Sequence, residues 1–368
     1  MRVLWLTNIP SPYRLKFFSE LGKHVQLTVL FEKGFSAERD ETWKDYQFVN
    51  YTGIVLRGIS VLTDMAISVG FKRYIDNFRK DIIVVSNPIT PTGIAAILYM
   101  QRHGIQYCIE SDGAFPKEKV GLRGALKQRL YSRAHLCLTT SELGKQYFLN
   151  YGVLESEIKK YPFSSVRNQD IIDPTHLQKK RQYFKEALGI EEQKMVLTVG
   201  QFIPRKGFDV LLKAAKFLSP DVGFYLIGGT PGEDYLSIID ESVKERIHFI
   251  PFLKPDKVKE YYLAADVFAF PSHEDIWGLV TNEAMAQGLP VISTDKCISA
   301  LEMVHQGENG YIVEDNDIDS LAEKLQMVLS ADDYMQMCEK SVDTAHHYTI
   351  ETMVEKHLSI FNSIRPEK

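Results

Sequence analysis

The chain has 368 residues, of which 45% are hydrophobic and 25% are charged, and its formal net charge at pH 7 is −5. This length is sufficient for two domains with separate cores. The negative net charge argues against a nucleic-acid-binding protein, because such proteins usually need a cationic surface.

The cysteines and the apolar runs indicate the compartment. Cys108, Cys137, Cys297 and Cys338 form no CxxC pair and have no zinc-like spacing with histidine, so we expect reduced core thiols. The amino-terminal segment MRVLWLTNIP has too short an apolar run for a secretion signal, and no stretch approaches the roughly 20 apolar residues of a membrane span. We therefore expect a cytoplasmic protein that meets a membrane, if at all, at its inner face.

Short apolar runs alternate with helical patterns through the amino-terminal half. The predicted strands are 3–7, 25–31, 48–56, 81–86, 106–110 and 135–140, and the predicted helices are 15–22, 92–103, 121–133 and a helix that begins at Ser141. This alternation is typical of a doubly wound α/β domain. The turn NIPSPYR (8–14) contains no glycine, which argues against a dinucleotide-binding site.

The polar stretch SSVRNQDIIDPTHLQKK (164–180) predicts an interdomain linker. After it the alternation restarts, with strands predicted at 195–200, 223–229, 246–252, 265–270, 291–294 and 310–313, and helices at 208–218, 254–264 and 319–329. We predict an amino-terminal domain at 1–165, a linker at 166–190, a carboxy-terminal domain at 191–348 and a last segment at 349–368.

The segment PSHEDIWGLVTNEAMAQGLPV (271–291) follows a predicted buried strand. Its pattern predicts a loop, then a helix from about Leu279 that stops at Gly288. The free N–H groups and partial positive charge at the helix start suit an anion. Asp275 and Glu283 stand eight positions apart across this start. By itself such a pair of acids more often marks a solvated helix face.

The surrounding residues strengthen the functional interpretation. This segment resembles the signature of the retaining GT-B glycosyltransferases of family four (glycosyl transferases group 1), in which two glutamates flank a seven-residue gap; the matching residues are Ser272, Asp275, Gly278, Leu279, Glu283, Ala284, Ala286, Gly288, Pro290 and Val291. The resemblance covers the second half of the chain and is thinner in the first. It departs from the family at Asp275, where Glu is usual, and at Gln201, where Arg is usual.

The resemblance implies a fold and an activity. The fold would be α/β, of the GT-B type, with two Rossmann-like doubly wound domains facing across a cleft and a last helix that crosses back to the first domain. The amino-terminal domain would handle the acceptor, and the carboxy-terminal domain would bind the donor. The enzyme would move a sugar from a nucleotide diphosphate sugar, such as a UDP sugar, to a glycan or lipid-linked saccharide in cell-surface polysaccharide synthesis, with retention of configuration.

Two alternatives share the same residues: a GT-B epimerase that acts on the nucleotide sugar itself, and a non-catalytic nucleotide-sugar binding protein. An epimerase would turn over without an acceptor. No DxD-type acidic cluster lies in the segments 200–207 and 271–291, which the resemblance assigns to the donor. We therefore expect no metal ion and no cofactor, with protein cations and the helix start offsetting the diphosphate charge.

The resemblance assigns roles to residues of the second half. Arg205 and Lys206 would contact the diphosphate, although a solvated turn is the alternative, and Gln201 would add a neutral donor. Asp275 would hold sugar hydroxyls or merely begin a turn, and Glu283 would accept hydrogen bonds from the ribose. The further donor-binding candidates are the backbone N–H groups of Gly278, Leu279 and Val280, and the base-contacting side chains of Phe252 and Leu253. His273 and Trp277 are expected to pack.

Two features of the first half point to the acceptor. Asp112 follows the predicted strand 106–110, where it would activate the acceptor, orient the donor sugar or begin a turn. Residues 117–133 carry six basic residues, one acid and three interleaved leucines. This pattern fits peripheral contact with an anionic membrane. It fits a core helix with a solvated basic face equally well.

Overall fold

The computed structural model describes residues 1–35, 46–62, 65–116 and 121–364. Its contacts divide the chain into two compact units. The amino-terminal unit comprises Met1–Ser165 and Ile350–Lys368, and the carboxy-terminal unit comprises Val166–Thr349.

The strands are short and mostly buried. In chain order they are β1 (Arg2–Thr7), β2 (Gln26–Phe31), β3 (Thr52–Val55), β4 (Arg57–Leu62), β5 (Met65–Val69), β6 (Ile82–Val85), β7 (Cys108–Ser111), β8 (Leu136–Thr139), β9 (Ile158–Lys160), β10 (Lys194–Val199), β11 (Val222–Ile227), β12 (Ile247–Ile250), β13 (Val267–Phe270), β14 (Val291–Thr294) and β15 (Gly310–Val313). Every residue of β6 and of β13 is buried. Burial on both faces explains why these strands have continuous apolar sequences.

The helices connect the strands. They are α1 (Pro12–Leu21), α2 (Phe71–Asn77), α3 (Pro91–Arg102), α4 (Gly121–Tyr131), α5 (Glu142–Asn150), α6 (Leu177–Leu188), α7 (Phe208–Ala214), α8 (Glu233–Leu236), α9 (Pro255–Ala264), α10 (Leu279–Ala286), α11 (Ile298–Met303), α12 (Ile318–Leu329), α13 (Tyr334–His347) and α14 (Ile350–Ser363). Side-chain caps begin several of them. Ser141 Oγ accepts from the Gly144 N–H at 2.9 Å at the start of α5, and such a cap satisfies a donor that has no partner within the helix.

Each unit contains one parallel sheet. Among the described residues, the strand order is β3-β2-β1-β6-β7-β8-β9 in the amino-terminal unit and β12-β11-β10-β13-β14-β15 in the carboxy-terminal unit. Strands β4 and β5 form a separate antiparallel hairpin. In both sheets, successive strands are added first on one side of the first strand and then on its other side, which is the order of a doubly wound sheet.

Several predicted elements are shorter than expected. The predicted strand 48–56 is confined to Thr52–Val55, and the predicted helix 208–218 ends at Ala214 and continues as a 3-10 turn. The hairpin β4–β5 and the helices α2, α11 and α13 were not predicted. Across the part of the chain that the structure describes, no helix combines the length and apolar character needed to cross a bilayer.

The predicted linker 166–190 contains a helix, α6, which the apolar pattern did not reveal. Its buried residues are Leu177, Arg181 and Lys185, so charged groups occupy two of the buried positions. Lys185 Nζ lies 2.7 Å from the buried carboxylate of Asp266. The buried face is therefore stabilised by an ion pair as well as by apolar packing.

Candidate active site

The order of the carboxy-terminal sheet reverses between β10 and β13. The loops that leave these adjacent strands lead to helices on opposite sides, so a crevice opens at their carboxyl ends. The first loop contains the cationic turn, Pro204–Lys206. The second, residues 271–278, is called here the acidic loop. Such a switch point is where open parallel sheets bind ligands.

One carbonyl group joins these two loops. The Arg205 carbonyl oxygen accepts from Ser272 Oγ at 2.9 Å and from the His273 N–H at 2.9 Å. The Arg205 guanidinium in return donates to the Glu274 carbonyl at 2.9 Å. The cationic turn and the acidic loop are thus held in register by one backbone hydrogen bond and by two hydrogen bonds from side chains to backbone carbonyls.

The predicted cations and the first acid meet at this junction. Lys206 Nζ lies 2.5 Å from Asp275 Oδ2, and an Arg205 nitrogen lies 3.6 Å from the same oxygen. The Lys206 side chain is 14% exposed, whereas that of Arg205 is 46% exposed. Lys206 Nζ also lies 4.8 Å from the centre of the Phe270 ring. Lys206 is therefore held in a site that is largely shielded from solvent, whereas Arg205 reaches solvent.

Asp275 is held on both its backbone and its side chain. Its N–H donates to the Lys296 carbonyl at 2.8 Å, and its carbonyl accepts from the Ile298 N–H at 3.1 Å. Its second carboxylate oxygen accepts from the Trp277 N–H at 3.3 Å. Asp275 therefore forms a parallel bridge with Cys297, just beyond the end of β14. Its position is fixed more firmly than that of an ordinary turn residue.

Two glycines allow the close approach of these segments. Gly207 has φ 65°, and a Cβ atom there would lie 1.8 Å from the Pro271 carbonyl oxygen. Gly278 has φ 60°, and a Cβ atom there would lie 3.0 Å from the Phe270 ring and 3.1 Å from Cys297 Sγ. Only glycine combines this backbone conformation with the absence of a side chain.

Helix α10 begins directly after Gly278, as predicted. The N–H groups of Leu279 and Val280 lie in its first turn, where no intrahelical acceptor is available. Glu283 lies in the second turn, and the Tyr262 hydroxyl donates to it at 3.4 Å. Trp277 is buried and its indole N–H donates to Asn282 at 3.1 Å, which is a packing role.

The remaining donor-binding candidates lie on the same edge of the sheet. Gln201 is exposed in the loop after β10, and Phe252, which is 58% exposed, and Leu253 follow β12. In the strand order, β12 is separated from β10 by β11. The roles of these residues remain predictions.

In the amino-terminal unit, Asp112 belongs to a charged cluster. Arg14 on α1 lies 2.9 Å from Glu110 at the end of β7, and it also contacts the Asp112 carboxylate. Arg14 and Glu110 are buried, whereas the Asp112 side chain is 33% exposed. Beside Asp112 is a cavity of about 320 Å³ that Asn87 and Tyr147 also line.

The two carboxyl groups of this cluster differ in their pKa. Burial raises the pKa of Glu110, but the charges and hydrogen bonds of Arg14 and His357 together outweigh burial and lower it. His357 on α14 lies 3.4 Å from the same carboxylate, and Ser86 Oγ donates to it at 2.6 Å. Burial raises the pKa of Asp112 to about 6 despite the attraction of Arg14. Glu110 is therefore a fixed anion, and Asp112 titrates within the physiological range.

The sequence analysis did not identify Arg14, Glu110 or His357. The position of Arg14 contained a usable signal, because Arg14 shares the buried face of α1 with Phe17 and Leu21. Charged or polar groups at the apolar spacing of a helix predict a buried partner. The partners themselves could not be inferred, since Arg14 and Glu110 are 96 positions apart.

The basic segment 117–133 is described only in part, because residues 117–120 lie outside the described ranges. Within α4, Leu130 is buried in the core and Leu126 packs against it, whereas Leu122 is 91% exposed. The leucines therefore do not form one exposed apolar face. The described part fits the alternative of a core helix with a solvated basic face.

The carboxy-terminal half matches a known family. Residues 180–344 match the model described as Glycosyl transferases group 1. An uncharacterized glycosyltransferase of Haemophilus influenzae is 30% identical over 178 residues, which are 47% of this chain and 50% of that protein. The chain spans about half, or less, of the length of the curated relatives that it matches. The predicted resemblance is confirmed over residues 180–344, which match the glycosyl transferases group 1 model.

Solved structures are similar over the whole chain. Anabaena HepE in complex with UDP has a TM-score of 0.78 at 16% identity, covering 99% of this chain and 100% of that chain. The apo form of the lipopolysaccharide outer core galactosyltransferase WaaB has a TM-score of 0.70 at 14% identity, covering 99% of this chain and 100% of that chain. The predicted α/β GT-B fold class is confirmed.

The close contact at Gly207 can be tested by substitution. We expect Gly207→Ala to lower the free energy of unfolding by about 3 kcal/mol, because it combines left-handed strain with a backbone collision. Gly189→Ala is the matched control, since Gly189 has φ 67° but open space around it, and it should cost about 1 kcal/mol. Urea denaturation measures both. Equal losses in the two variants would contradict the close contact.

Proposed function

We propose that this chain is a glycosyltransferase that moves a sugar from a nucleotide diphosphate sugar to a glycan or lipid-linked saccharide, with retention of configuration. The observation that carries this proposal is the Lys206–Asp275–Arg205 cluster at the switch point of a domain that matches glycosyl transferases group 1. UDP is the favoured nucleotide, because the structurally similar HepE was solved with UDP.

The cationic turn stabilises the nucleoside diphosphate as it becomes the leaving group. When the bond between the sugar and the phosphate breaks, negative charge grows on the leaving oxygen, and a fixed cation stabilises that charge more than it stabilises the bound substrate. Lys206 is already oriented by Asp275 and costs little reorganisation. Arg205, which is more exposed, reaches the outer phosphate oxygens, and Gln201 adds a neutral donor. The first N–H groups of α10 supply further donors.

The sugar and the nucleoside are bound by the acids and by the sheet edge. Asp275 accepts hydrogen bonds from sugar hydroxyls while it orients Lys206. Glu283 accepts from the ribose hydroxyls, since a carboxylate can receive two hydrogen bonds at once. Phe252 and Leu253 contact the base.

The acceptor is handled by the amino-terminal unit. The departing phosphate takes the acceptor proton on the same face of the sugar, which retains the configuration without a separate protein base. Asp112 orients the acceptor, because its partly exposed carboxylate lies beside a cavity. A role in cell-surface polysaccharide synthesis is supported by the likeness to WaaB, a lipopolysaccharide galactosyltransferase. A lipid-linked acceptor would place the enzyme at the cytoplasmic face of the membrane, where the basic side chains of α4, and not an apolar face, would meet anionic lipids.

Lys206 provides the test of the donor site. We expect Lys206→Ala to lower kcat for sugar transfer from a UDP sugar by at least about a hundredfold, because it removes charge stabilisation in the transition state. Lys244→Ala is the control, since Lys244 is a surface lysine paired with Glu241 in the same unit. Near-normal turnover of Lys206→Ala would remove this residue from the site.

The decrease of kcat/KM at low pH, the acid limb of its pH profile, tests the role of Asp112. Because the pKa of Asp112 is raised to about 6, the carboxylate is lost as the pH falls through this value. We expect kcat/KM to fall with a one-proton dependence below about pH 6, since kcat/KM reports groups of the free enzyme. Asp112→Asn should be slow at every pH and lack this limb. An unchanged acid limb in that variant would assign the titration to another group.

Metal independence is a separate prediction. Transfer should proceed at the same rate in EDTA, because protein cations and helix N–H groups offset the diphosphate charge. We would measure initial rates after dialysis against chelator, with and without added Mg²⁺. Loss of turnover that Mg²⁺ restores would contradict the prediction.

A further inference from the structure

His273 lies in the acidic loop, two positions before Asp275, and its ring lies between two carboxylates. Its Nδ1 is 2.6 Å from Asp315 Oδ1, and its Nε2 is 3.4 Å from Asp209 Oδ1. Asp209 lies in the first turn of α7, which directly follows the cationic turn, and Asp315 follows β15. This side chain therefore links three segments at the carboxyl edge of one sheet.

The arrangement requires the charged form of the ring. A neutral imidazole has one donor and one acceptor, so it would direct a lone pair at one of the two carboxylates. Burial lowers the pKa of His273, but the hydrogen bonds and charges of Asp315 and Asp209 outweigh burial and raise it above the ordinary value of 6.5. The side chain is 25% exposed, so solvent screens these interactions only in part.

The neighbouring charges hold the carboxylates in place. Asp209 also pairs with Lys213 on α7 at 2.8 Å. The Asp315 N–H donates to Asp295 at 3.0 Å, and Asp295 in turn contacts Lys296. Asp209 therefore keeps Lys213 as a partner when the imidazolium loses its proton, and the backbone of Asp315 stays held by Asp295, so the contact that is lost is the one to the acidic loop.

We propose that His273 is a positioning residue for the donor: as an imidazolium it anchors the acidic loop, and thereby holds Asp275 and the cationic turn in the arrangement that receives the nucleotide sugar. This inference rests on the proposed function. His273 acts through its own N–H and the Arg205 carbonyl that accepts it, and through Asp209 at the start of α7. It therefore affects the KM for the donor more than the rate of the chemical step.

The direction of the pH dependence follows from the raised pKa. The anchor is complete at pH values below the ordinary histidine pKa and is lost as the pH rises through the raised pKa of His273. The donor KM of the wild-type enzyme should therefore rise on the alkaline side. The Asp112 titration lies on the acid side and is separable from this one.

Two variants and a control test the proposal kinetically. At about pH 6.5, His273→Gln should raise the donor KM about tenfold, the value expected for loss of a charge-assisted hydrogen bond, and change kcat less than about threefold. It should also lack the alkaline rise. Asp315→Asn should move the wild-type transition to lower pH, which a purely structural role of His273 would not predict. The control His176→Gln removes an exposed histidine that pairs with Asp173 and should behave as wild type.

A readout without substrate separates this proposal from the proposed function. Amide hydrogen exchange of residues 272–276 should be faster in His273→Gln than in wild type at about pH 6.5, after correction for intrinsic exchange, and the two should converge above the transition. If wild type transfers no sugar, the proposed function fails, yet this difference in exchange still supports the anchor. Wild-type donor KM and wild-type exchange in His273→Gln across the pH range would overturn the role of His273.

Discussion

The hydrogen bonds to the Arg205 carbonyl are the constraint on which the carboxy-terminal site depends. They join the cationic turn to the acidic loop, two loops that leave adjacent strands in opposite directions. Without this junction, Lys206 and Asp275 would belong to separate surface loops. Gly207 permits the junction because its missing side chain leaves room for the Pro271 carbonyl. The charged site is therefore a consequence of backbone geometry at the switch point.

Each unit pairs a cation with protein carboxylate groups, two in the amino-terminal unit and one in the carboxy-terminal unit, with different consequences. Arg14 is buried with Glu110 and also contacts the partly exposed carboxylate of Asp112, so its charge is largely satisfied inside the protein. Removing charges from water is costly, and such clusters persist only where hydrogen bonds offset the desolvation. Lys206 has one carboxylate partner and keeps some exposure, and the adjacent Arg205 is half exposed. This second arrangement leaves cationic groups accessible to an anion.

The architecture of this chain recurs in solved structures of low sequence identity, whereas the residues of its candidate site lie in loops. The architecture agrees with HepE over 99% of the chain at 16% identity, because a doubly wound sheet needs only apolar runs of suitable length and spacing. The chemistry depends on loop residues, and this chain has Asp275 and Gln201 where the family usually has Glu and Arg. Loops tolerate such changes more readily than cores do. Substrate choice is therefore expected to reside in these loops, on a fold that many transferases share.

The sequence by itself determined the α/β class, the positions of most strands, the helix between Leu279 and Gly288, and the family signature around Asp275, because these features are encoded by neighbouring residues. Only the tertiary structure decided which distant charges meet. Arg14 pairs with Glu110, and His273 pairs with both Asp209 and Asp315, because in each unit the strand order brings these residues to the same edge of the sheet. The helix within the predicted linker was hidden for a related reason: its buried Arg181 and Lys185 look solvent-exposed until the buried Asp266 beside them is known. A local sequence pattern shows which apolar residues are buried, whereas the burial of a charged residue depends on a partner that only the folded chain supplies.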